Sequence, residues 1–111
     1  MFNTLPLACI VNNKFLCIHG GISPDLMKID DINTKINRFE EPKEKGSLCD
    51  LLWSDPASKA ETAIKNDYTK NRMRMISFVY GLNPVKNLLS QDNLLCLVRA
   101  HECKLEGYEL H

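Results

Sequence analysis

The sequence predicts a domain of the α/β class, and three observations support this prediction. Short apolar runs typical of strands occur at 7–11, at 15–18 and from residue 94 onward. Segments with helical spacing or helix-start residues lie between these runs. The length of 111 residues and the 44% hydrophobic content suit one ordinary globular domain or a piece of one. Strands that alternate with helices indicate α/β layers rather than a helical bundle or an all-β sandwich.

The first two apolar runs are expected to pair as a β-hairpin. Residues 5–11 are apolar, and Pro6 favours a strand from Leu7 onward because proline is tolerated mainly at strand starts and edges. Residues 12–14, Asn-Asn-Lys, have turn character and lead into the second run at 15–18. The side chains of both strands are expected to serve packing.

A short helix is predicted next, over residues 23–36. Ser23 suits the cap position and Pro24 the first helical position. Four apolar residues then recur at spacings of three and four, which places them on one helix face. These residues are Leu26, Ile29, Ile32 and Ile36.

The middle of the chain alternates between polar loops and one compact element. Residues 38–46 are charged and contain a proline, as a surface loop does. Residues 48–53 form a short amphipathic element that ends at Ser-Asp-Pro, 54–56. Residues 57–70 are small and polar without an apolar stripe, and we expect an exposed excursion there.

The last third predicts a strand, a helix and two further extended segments. A strand-like run ends at Gly81, and Asn-Pro at 83–84 opens a helix over 85–89. The strand from residue 94 ends on a histidine, and 108–111 is also expected to be extended. The predicted order is therefore β-β-α-loop-α-β-α-β-β. A chain that begins and ends close to strands is expected to be a piece of a larger domain with an open apolar face.

Composition excludes several classes of function. The formal net charge is zero, and no basic stripe with interleaved aromatics is present, so neither nucleic acid nor a membrane surface is an expected partner. No apolar run approaches the length of a membrane span, and no signal peptide is evident. The odd number of cysteines without a C-x-x-C motif indicates free thiols and a cytoplasmic protein. The five are Cys9, Cys17, Cys49, Cys96 and Cys103.

His19 and His101 are the candidate metal ligands. Each follows an apolar run, and chemistry in layered α/β proteins collects at the carboxyl ends of strands. A single histidine is more often a structural hydrogen bonder, but two in matching contexts favour one shared metal site. Neutral imidazole suits zinc, iron or manganese. Five aspartates could complete the site, although none has a ligand spacing: Asp25, Asp30, Asp31, Asp50 and Asp55.

Two arginines and the single tryptophan are further candidates. A guanidinium can bind phosphate or carboxylate with two hydrogen bonds. For Arg74 an anion site and an ordinary surface position are equally supported, whereas Arg99 is expected to be ion-paired or exposed. Trp53 could line a groove, although a lone tryptophan is more often a core anchor.

The chain resembles the catalytic domain of the metal-dependent serine/threonine phosphoprotein phosphatases over nearly its whole length. Four blocks occur in family order: His-Gly-Gly at 19–21, Leu-Leu-Trp-Ser-Asp-Pro at 51–56, the segment 71–77, and Arg-Ala-His at 99–101. Four blocks in order are far more specific than one tripeptide. Within the family, the motifs at 38–42 and 99–102 are most similar to the calcineurin catalytic subunit.

The resemblance implies a fold, a site and a reaction. The family fold is a β-sandwich flanked by helices, with two divalent or trivalent metal ions (iron, zinc or manganese) at the sheet edge. By position, His19 and His101 match two ligands of one metal, and Arg74 matches a residue that binds the substrate phosphate. Trp53 and Asp55 fall in the segment beside the active site and its substrate groove. The family hydrolyses phosphoserine and phosphothreonine with a metal-activated water.

The resemblance also implies that residues 1–111 are the C-terminal part of one catalytic domain, incomplete at both ends. The family's two Asp-rich metal motifs, its Gly-Asn-His-Glu motif, its catalytic histidine and another phosphate-binding arginine belong upstream of anything present here. At most one partial metal site is therefore expected, and the isolated chain is expected to lack activity. Met75 also stands where the family usually has glycine.

Partners follow from the same resemblance and apply to the parent protein. The parent would act on a phosphoprotein substrate and would bind a regulatory calcium-binding subunit and calmodulin. Two alternatives remain open. One is a non-catalytic remnant or scaffold that keeps only part of the metal site, and the other is a small zinc- or iron-binding module that uses His19 and His101.

Overall fold

The computed structural model describes residues 2–62 and 66–111, which form short helices and two three-stranded sheets. A single 3-10 turn at Phe2–Thr4 precedes the first strand. Among all the described residues, no helix is long and apolar enough to cross a membrane. The elements in chain order are β1 Ala8–Val11, β2 Phe15–Ile18, α1 Asp31–Lys35, α2 Ser47–Trp53, β3 Asp55–Pro56, α3 Lys59–Thr62, β4 Thr69–Lys70, β5 Phe78–Tyr80, α4 Leu82–Gln91 and β6 Cys96–Arg99.

The first sheet joins the two ends of the chain in the order β1-β2-β6. β1 and β2 pair antiparallel, with Ala8 opposite Ile18, which confirms the predicted hairpin. Asn12 and Asn13 form its turn with φ of 51° and 52°, a left-handed conformation that asparagine tolerates. β6 pairs with β2 in parallel, with Ile18 beside Arg99. The carboxyl ends of β2 and β6 therefore meet at one edge of the sheet.

The second sheet is small and has the order β3-β5-β4. β3 and β5 are parallel, with Asp55 beside Val79, whereas β4 pairs antiparallel through Thr69 and Val79. The backbone N–H of Ala57 donates to the carbonyl of Tyr80 at 2.8 Å, just after the β3 pairing. Pairing with β5 therefore fixes the position of Asp55 and Pro56, which follow α2.

Two apolar clusters pack against the inner face of the first sheet. One contains Leu16, Ile22, Tyr80 and Leu88, and the other contains Ile18, Leu26 and Leu51. Leu97 and Ala8 contact both clusters. Burial of each large apolar side chain stabilises the fold by roughly 2 kcal/mol. Because side chains alternate between the two faces along a strand, only every second strand residue points into these clusters.

The opposite face of the first sheet lacks such a cover among the described residues. We call it the outer face, and its exposed apolar residues include Val11, Phe15 and Val98, which are 49%, 38% and 48% exposed. An open apolar face was expected from the sequence and is present here. The outer face consists of Cys9, Val11, Phe15, Cys17, Cys96 and Val98.

The predicted helix over 23–36 is wrong in length, because only Asp31–Lys35 is helical. The Asp31 carboxylate accepts the backbone N–H groups of Met27 at 2.8 Å and Lys28 at 3.3 Å, which stabilises a turn in place of a helix. Ser23 is fully buried and donates its hydroxyl to Asp50 at 2.7 Å. The apolar residues of the segment still pack inward.

Two other expectations about elements need correction. The described chain has no strand at 108–111, where it is irregular, so the final strand is β6. Residues 57–70 were expected to be an exposed excursion; residues 58–61 are exposed, but the segment also contains α3 and β4, and Ala57 is buried. Residues 63–65 of that excursion lie outside the described residues. The compact element at 48–53 and the helix opened at 83–84 are confirmed as α2 and α4.

Candidate metal and phosphate site

The two candidate histidines lie side by side at the carboxyl ends of β2 and β6. His19 follows β2 directly, and its carbonyl accepts the backbone N–H of Ala100 at 2.9 Å. His101 lies two residues beyond β6. The Nε2 atom of His19 is 3.1 Å from the Nδ1 atom of His101. Parallel pairing of two distant strands therefore produces the juxtaposition that their sequence contexts predicted.

His101 is held in an unusual backbone conformation. Its φ of 68° lies in the left-handed region, which costs a non-glycine residue about 1–2 kcal/mol. Its side chain is only 9% exposed, and its Nε2 atom has no hydrogen-bond partner among the described residues. The nearest carboxylate oxygen is Oδ1 of Asp55, at 4.0 Å. Burial lowers the pKa of His101, and the nearby Arg74 lowers it further, so the neutral imidazole is favoured.

Asp55 connects the histidine pair to two arginines. Its Oδ2 accepts from Arg74 Nε at 3.0 Å and from Asn71 Nδ2 at 2.9 Å, while Oδ1 accepts from Arg99 Nη2 at 2.9 Å. Burial raises the pKa of the Asp55 carboxyl, but the hydrogen bonds from Arg74, Asn71 and Arg99 outweigh it, and the net pKa is lowered. Asp55 is therefore an ionised acceptor in the centre of the site.

Arg74 is carried by a tight loop between β4 and β5. Asn71 closes this loop, because its N–H donates to the Ser77 carbonyl at 3.1 Å and its side chain accepts the Arg74 N–H at 3.0 Å. The Nη2 atom of Arg74 donates to the His101 carbonyl at 3.3 Å. The Arg74 side chain remains 30% exposed, so the guanidinium is both fixed and accessible. Met75 follows in the left-handed region, with φ of 60°.

Trp53 closes another side of the histidine pair. It is the last residue of α2, and its ring packs edge-on against His101 at 5.5 Å between centroids. Trp53 is 41% exposed, so the alternative of a core anchor is wrong. The structure thus brings together all five candidate residues around His101 and Asp55.

Gly20 and Gly21 allow this edge of the sheet to approach its neighbours. A Cβ atom on Gly20 would lie 2.8 Å from the backbone of Leu52, and one on Gly21 would lie 2.1 Å from the Tyr80 ring. The Gly20 N–H donates to the Leu51 carbonyl at 2.9 Å. Glycine is required here because α2 packs closely against Gly20 and the Tyr80 side chain packs closely against Gly21.

Two further groups support the site and were not assigned a supporting role from sequence. Arg99, expected to be ion-paired or exposed, donates to Asp55 and also to the carbonyls of Gly20 at 2.7 Å and Ser54 at 3.2 Å. Buried Asp50 accepts the hydroxyls of Ser23 and of Ser77, the latter at 2.6 Å. No local sequence signal links these residues, since their partners are distant in the chain.

The ligand set of the described residues is incomplete for a metal ion. Across 2–62 and 66–111, no group of three or more His, Cys, Asp or Glu side chains is arranged to hold one. Asp31 and Asp50 are engaged by backbone N–H groups and hydroxyls instead. The histidine pair is thus the element of this chain that could contribute to a metal centre.

This combination of a mixed α/β fold with a histidine pair and a fixed arginine at one sheet edge is typical of metal-dependent phosphoesterases. The family model for calcineurin-like phosphoesterases matches residues 1–105, and the chain belongs to this family. The resemblance drawn from the four sequence blocks is confirmed.

Several relatives are serine/threonine phosphatases. The chain is 38% identical to the Saccharomyces cerevisiae serine/threonine-protein phosphatase 2B catalytic subunit A1, with 99% of this chain and 21% of that protein covered. It is 39% identical to the Kluyveromyces lactis serine/threonine-protein phosphatase 4 catalytic subunit, with 98% and 33% covered. The chain thus spans between a fifth and a third of the length of these relatives.

A solved structure shows the same fold. A Saccharomyces cerevisiae protein serine/threonine phosphatase, described as similar to human phosphatase PP5, superimposes with a TM-score of 0.75. The match has 28% identity and covers 93% of this chain and 30% of that one. The fold is accordingly part of the metallophosphatase fold, as expected from the sequence.

Proposed function

We propose that residues 1–111 are the C-terminal part of the catalytic domain of a calcineurin-like protein serine/threonine phosphatase. In this proposal His19 and His101 are two ligands of one metal ion, and Arg74 binds the substrate phosphate. Trp53 and Asp55 border the substrate groove. The observation that carries the proposal is the 3.1 Å separation of His19 Nε2 and His101 Nδ1.

The histidine pair fits a metal ion on the chemistry of its donor atoms. Two imidazole nitrogens that bind the same zinc ion at about 2.0–2.1 Å must lie within about 4.2 Å of each other, and the 3.1 Å separation observed here meets this condition. Metal-bound histidine commonly donates its other N–H to a carboxylate; Asp55 Oδ1 is the carboxylate oxygen nearest to His101 Nε2, but at 4.0 Å it is too far away for a hydrogen bond. Iron, zinc and manganese all accept such ligands. When bound, the ion would act as a Lewis acid and lower the pKa of a water molecule.

The groups that hold Arg74 support the role proposed for it. Asp55 fixes Nε and the His101 carbonyl fixes Nη2, so the guanidinium loses little freedom when it binds an anion. Its exposed portion lies beside the histidine pair, where a phosphate held by Arg74 would be close to the proposed metal ion. A charge-assisted hydrogen bond to a phosphate oxygen would then balance charge that develops during hydrolysis.

The remaining features of the proposal concern the parent protein. Its substrate would be a phosphoprotein, and its second metal ion would be held by residues outside this chain. A regulatory calcium-binding subunit and calmodulin would act on the parent, and the cytoplasm is the proposed compartment. Because this chain carries two ligands of one ion, we propose that it has no appreciable activity alone.

A non-catalytic remnant or scaffold is the second candidate. It is favoured by the described ligand set, which stops at the histidine pair. Such a protein would keep the same arrangement of the two histidines because the surrounding side chains still pack in the same way. It would not hydrolyse a phosphopeptide, even when extended by further residues upstream.

Binding of Mn²⁺ to the 111-residue chain tests the metal proposal. We expect the paramagnetic ion to broaden the imidazole NMR signals of His19 and His101 selectively, because both rings would lie within bonding distance of it. His111, the third histidine, is exposed at the C-terminus and serves as the internal control. H19A and H101A should each abolish the selective broadening, whereas H111A should preserve it. Equal broadening of all three histidines would contradict the proposal.

Activity on a phosphoserine peptide separates the two candidate functions. The 111-residue chain is expected to show no turnover, whereas a version extended upstream through the missing family motifs should be active. In that longer version, H101A should reduce activity by at least ~100-fold, since loss of a ligand disrupts the metal centre. Turnover by the 111-residue chain would refute its inactivity, and an inactive longer version would favour the remnant.

A further inference from the structure

The outer face of the first sheet contains a pair of cysteines in direct register. Cys9 of β1 is the antiparallel partner of Cys17 of β2. Directly opposed residues in such a pair have Cα atoms about 4.5 or about 5.5 Å apart. Disulfides span Cα separations of about 4.4–6.8 Å. We propose that Cys9 and Cys17 form a reversible thiol–disulfide modification site on this face.

The other cysteines are less suited to this bond. Cys96 shares the outer face, but its register partner is Phe15, while the partner of Cys17 is Val98. Cys17 and Cys96 are therefore two positions out of register on adjacent strands. A strand spacing of about 4.8 Å and an offset of about 6.6 Å along the strands place their Cα atoms about 8 Å apart, which exceeds disulfide reach. Cys49 is fully buried, and burial raises the pKa of its thiol. Cys103 lies four residues beyond the end of β6 and has no register partner in the sheet.

Access distinguishes the roles of the two thiols. Cys9 is exposed on the edge strand β1, whereas Cys17 is half-buried on the central strand β2. A small reagent therefore reaches Cys9 first, and Cys17 is placed as the resolving thiol. Exposed disulfides of this kind are more readily reduced than buried structural ones, as a reversible site requires.

The reaction uses a low-molecular-weight disulfide, such as oxidised glutathione, as the oxidant. The Cys9 thiolate attacks one sulfur of that disulfide, which breaks its S–S bond, forms a mixed disulfide and releases one thiolate. The Cys17 thiolate then attacks the Cys9 sulfur and displaces the second small thiolate. The two protein protons end on the two released thiols. The protein thiols are oxidised by two electrons, and the small disulfide is reduced by two.

The bond would constrain the strand that carries His19. Cys17 lies two residues before His19, and β2 is paired on both sides. A disulfide would join β2 covalently to the edge strand β1. The site thus couples redox state to the stability of the hairpin, independently of the proposed phosphatase function.

Peptide mapping of the whole 111-residue chain tests this inference. Trypsin cuts after Lys14 and Lys28, so Cys9 and Cys17 fall in peptides 1–14 and 15–28. The remaining cysteines fall in separate peptides, 46–59, 87–99 and 100–104. After oxidised glutathione treatment in native buffer, we expect linked 1–14 and 15–28 as the dominant pair of protein peptides. The exposed Cys96 and Cys103 should form only mixed disulfides with glutathione.

Matched variants and a denatured control sharpen the result. C96S should leave the linked pair unchanged, whereas C9S and C17S should each abolish it. In concentrated urea the selectivity should disappear, and pairs that include the Cys49 peptide should appear. A native sample in which Cys17 pairs mainly with Cys96, in which Cys9 stops at the mixed disulfide, or in which Cys49 reacts as fast as Cys9 would overturn the proposal.

Discussion

Asp55 is the residue on which the geometry of the site depends most. It receives hydrogen bonds from Arg74, Arg99 and Asn71, which come from the loop before β5 and from β6. The carboxylate is thereby placed near the Nε2 atom of His101. A single charge thus joins Arg74 to the histidine pair.

D55N is expected to destabilise the chain by about 2–3 kcal/mol at neutral pH, because two arginines lose their shared counter-charge in a largely buried site. Arg74 is partly exposed, so the loss should fall below that of a fully buried ion pair. D30N is the matched control. Its side chain is 59% exposed, and it should change stability by less than about 0.5 kcal/mol. Urea unfolding of both variants measures the difference.

The same variant should show a characteristic pH dependence. The pKa of Asp55 is lowered in the folded state, so its stabilisation is present above the unfolded value of about 3.9 and is lost as pH falls through the lower folded value. The stability difference between the wild type and D55N should therefore shrink below about pH 4. A difference that stays constant down to acid pH would contradict an ionised Asp55.

At this scale the sequence predicted which residues would lie close together but not the hydrogen bonds between them. His19 and His101 were predicted to meet because both follow strands, and Arg74 was recognised as an anion candidate. The hydrogen bonds of Arg99 and the buried Asp50 network could not be predicted, since they depend on how α2 packs against distant loops. Contacts between remote side chains need the tertiary structure.

The loop 71–77 is the element that presents Arg74. It contains two residues in the left-handed region, Met75 and Ser77, with φ of 60° and 61°. The Ser77 hydroxyl donates to buried Asp50 of α2, and this hydrogen bond attaches the loop to that helix. Met75 stands where the resemblance predicts glycine, and its backbone adopts the conformation that glycine accepts most easily.

M75G is expected to stabilise the chain by about 0.5–1 kcal/mol. Relief of a left-handed side chain contributes about 1–2 kcal/mol, and the greater freedom of glycine in the unfolded chain offsets about 0.5–1 kcal/mol of it. M73G is the matched control, since Met73 is 90% exposed and is not among the residues with positive φ. It should lose stability by about 0.5–1 kcal/mol. Equal effects on the denaturation midpoint would refute the strain at Met75.

Local rules predicted some elements and failed for others. The hairpin was predictable because two continuous apolar runs, 7–11 and 15–18, flank the turn at 12–14. The helix over 23–36 was overpredicted because Ser23 and Asp31 make tertiary and turn hydrogen bonds that compete with helix formation. The periodic spacing correctly predicted which apolar residues of 23–36 pack inward. It did not reveal that most of these residues lie outside the short helix Asp31–Lys35.

The whole molecule is organised around one sheet with unequal faces. The inner face of β1-β2-β6 carries the core, while the outer face leaves Val11, Phe15 and Val98 about half exposed. Isolated chains with such a face tend to associate, because burial of apolar area is favourable between molecules as well as within one. Low solubility is therefore expected for the 111-residue chain.

V98K is expected to reduce self-association with little effect on stability. Val98 points to the outer face, so a lysine there can extend into water and repel a second copy of the chain. L97K supplies the control, because the neighbouring Leu97 packs against both core clusters. An ammonium group there would lack a partner and should cost more than about 3 kcal/mol of folding free energy.

Sedimentation and binding of a hydrophobic dye measure association, and urea unfolding measures stability. If V98K associated as strongly as the wild type, contacts elsewhere would have to drive association. If V98K destabilised the chain as much as L97K, the two faces of the sheet would be equally buried, which contradicts the fold described above.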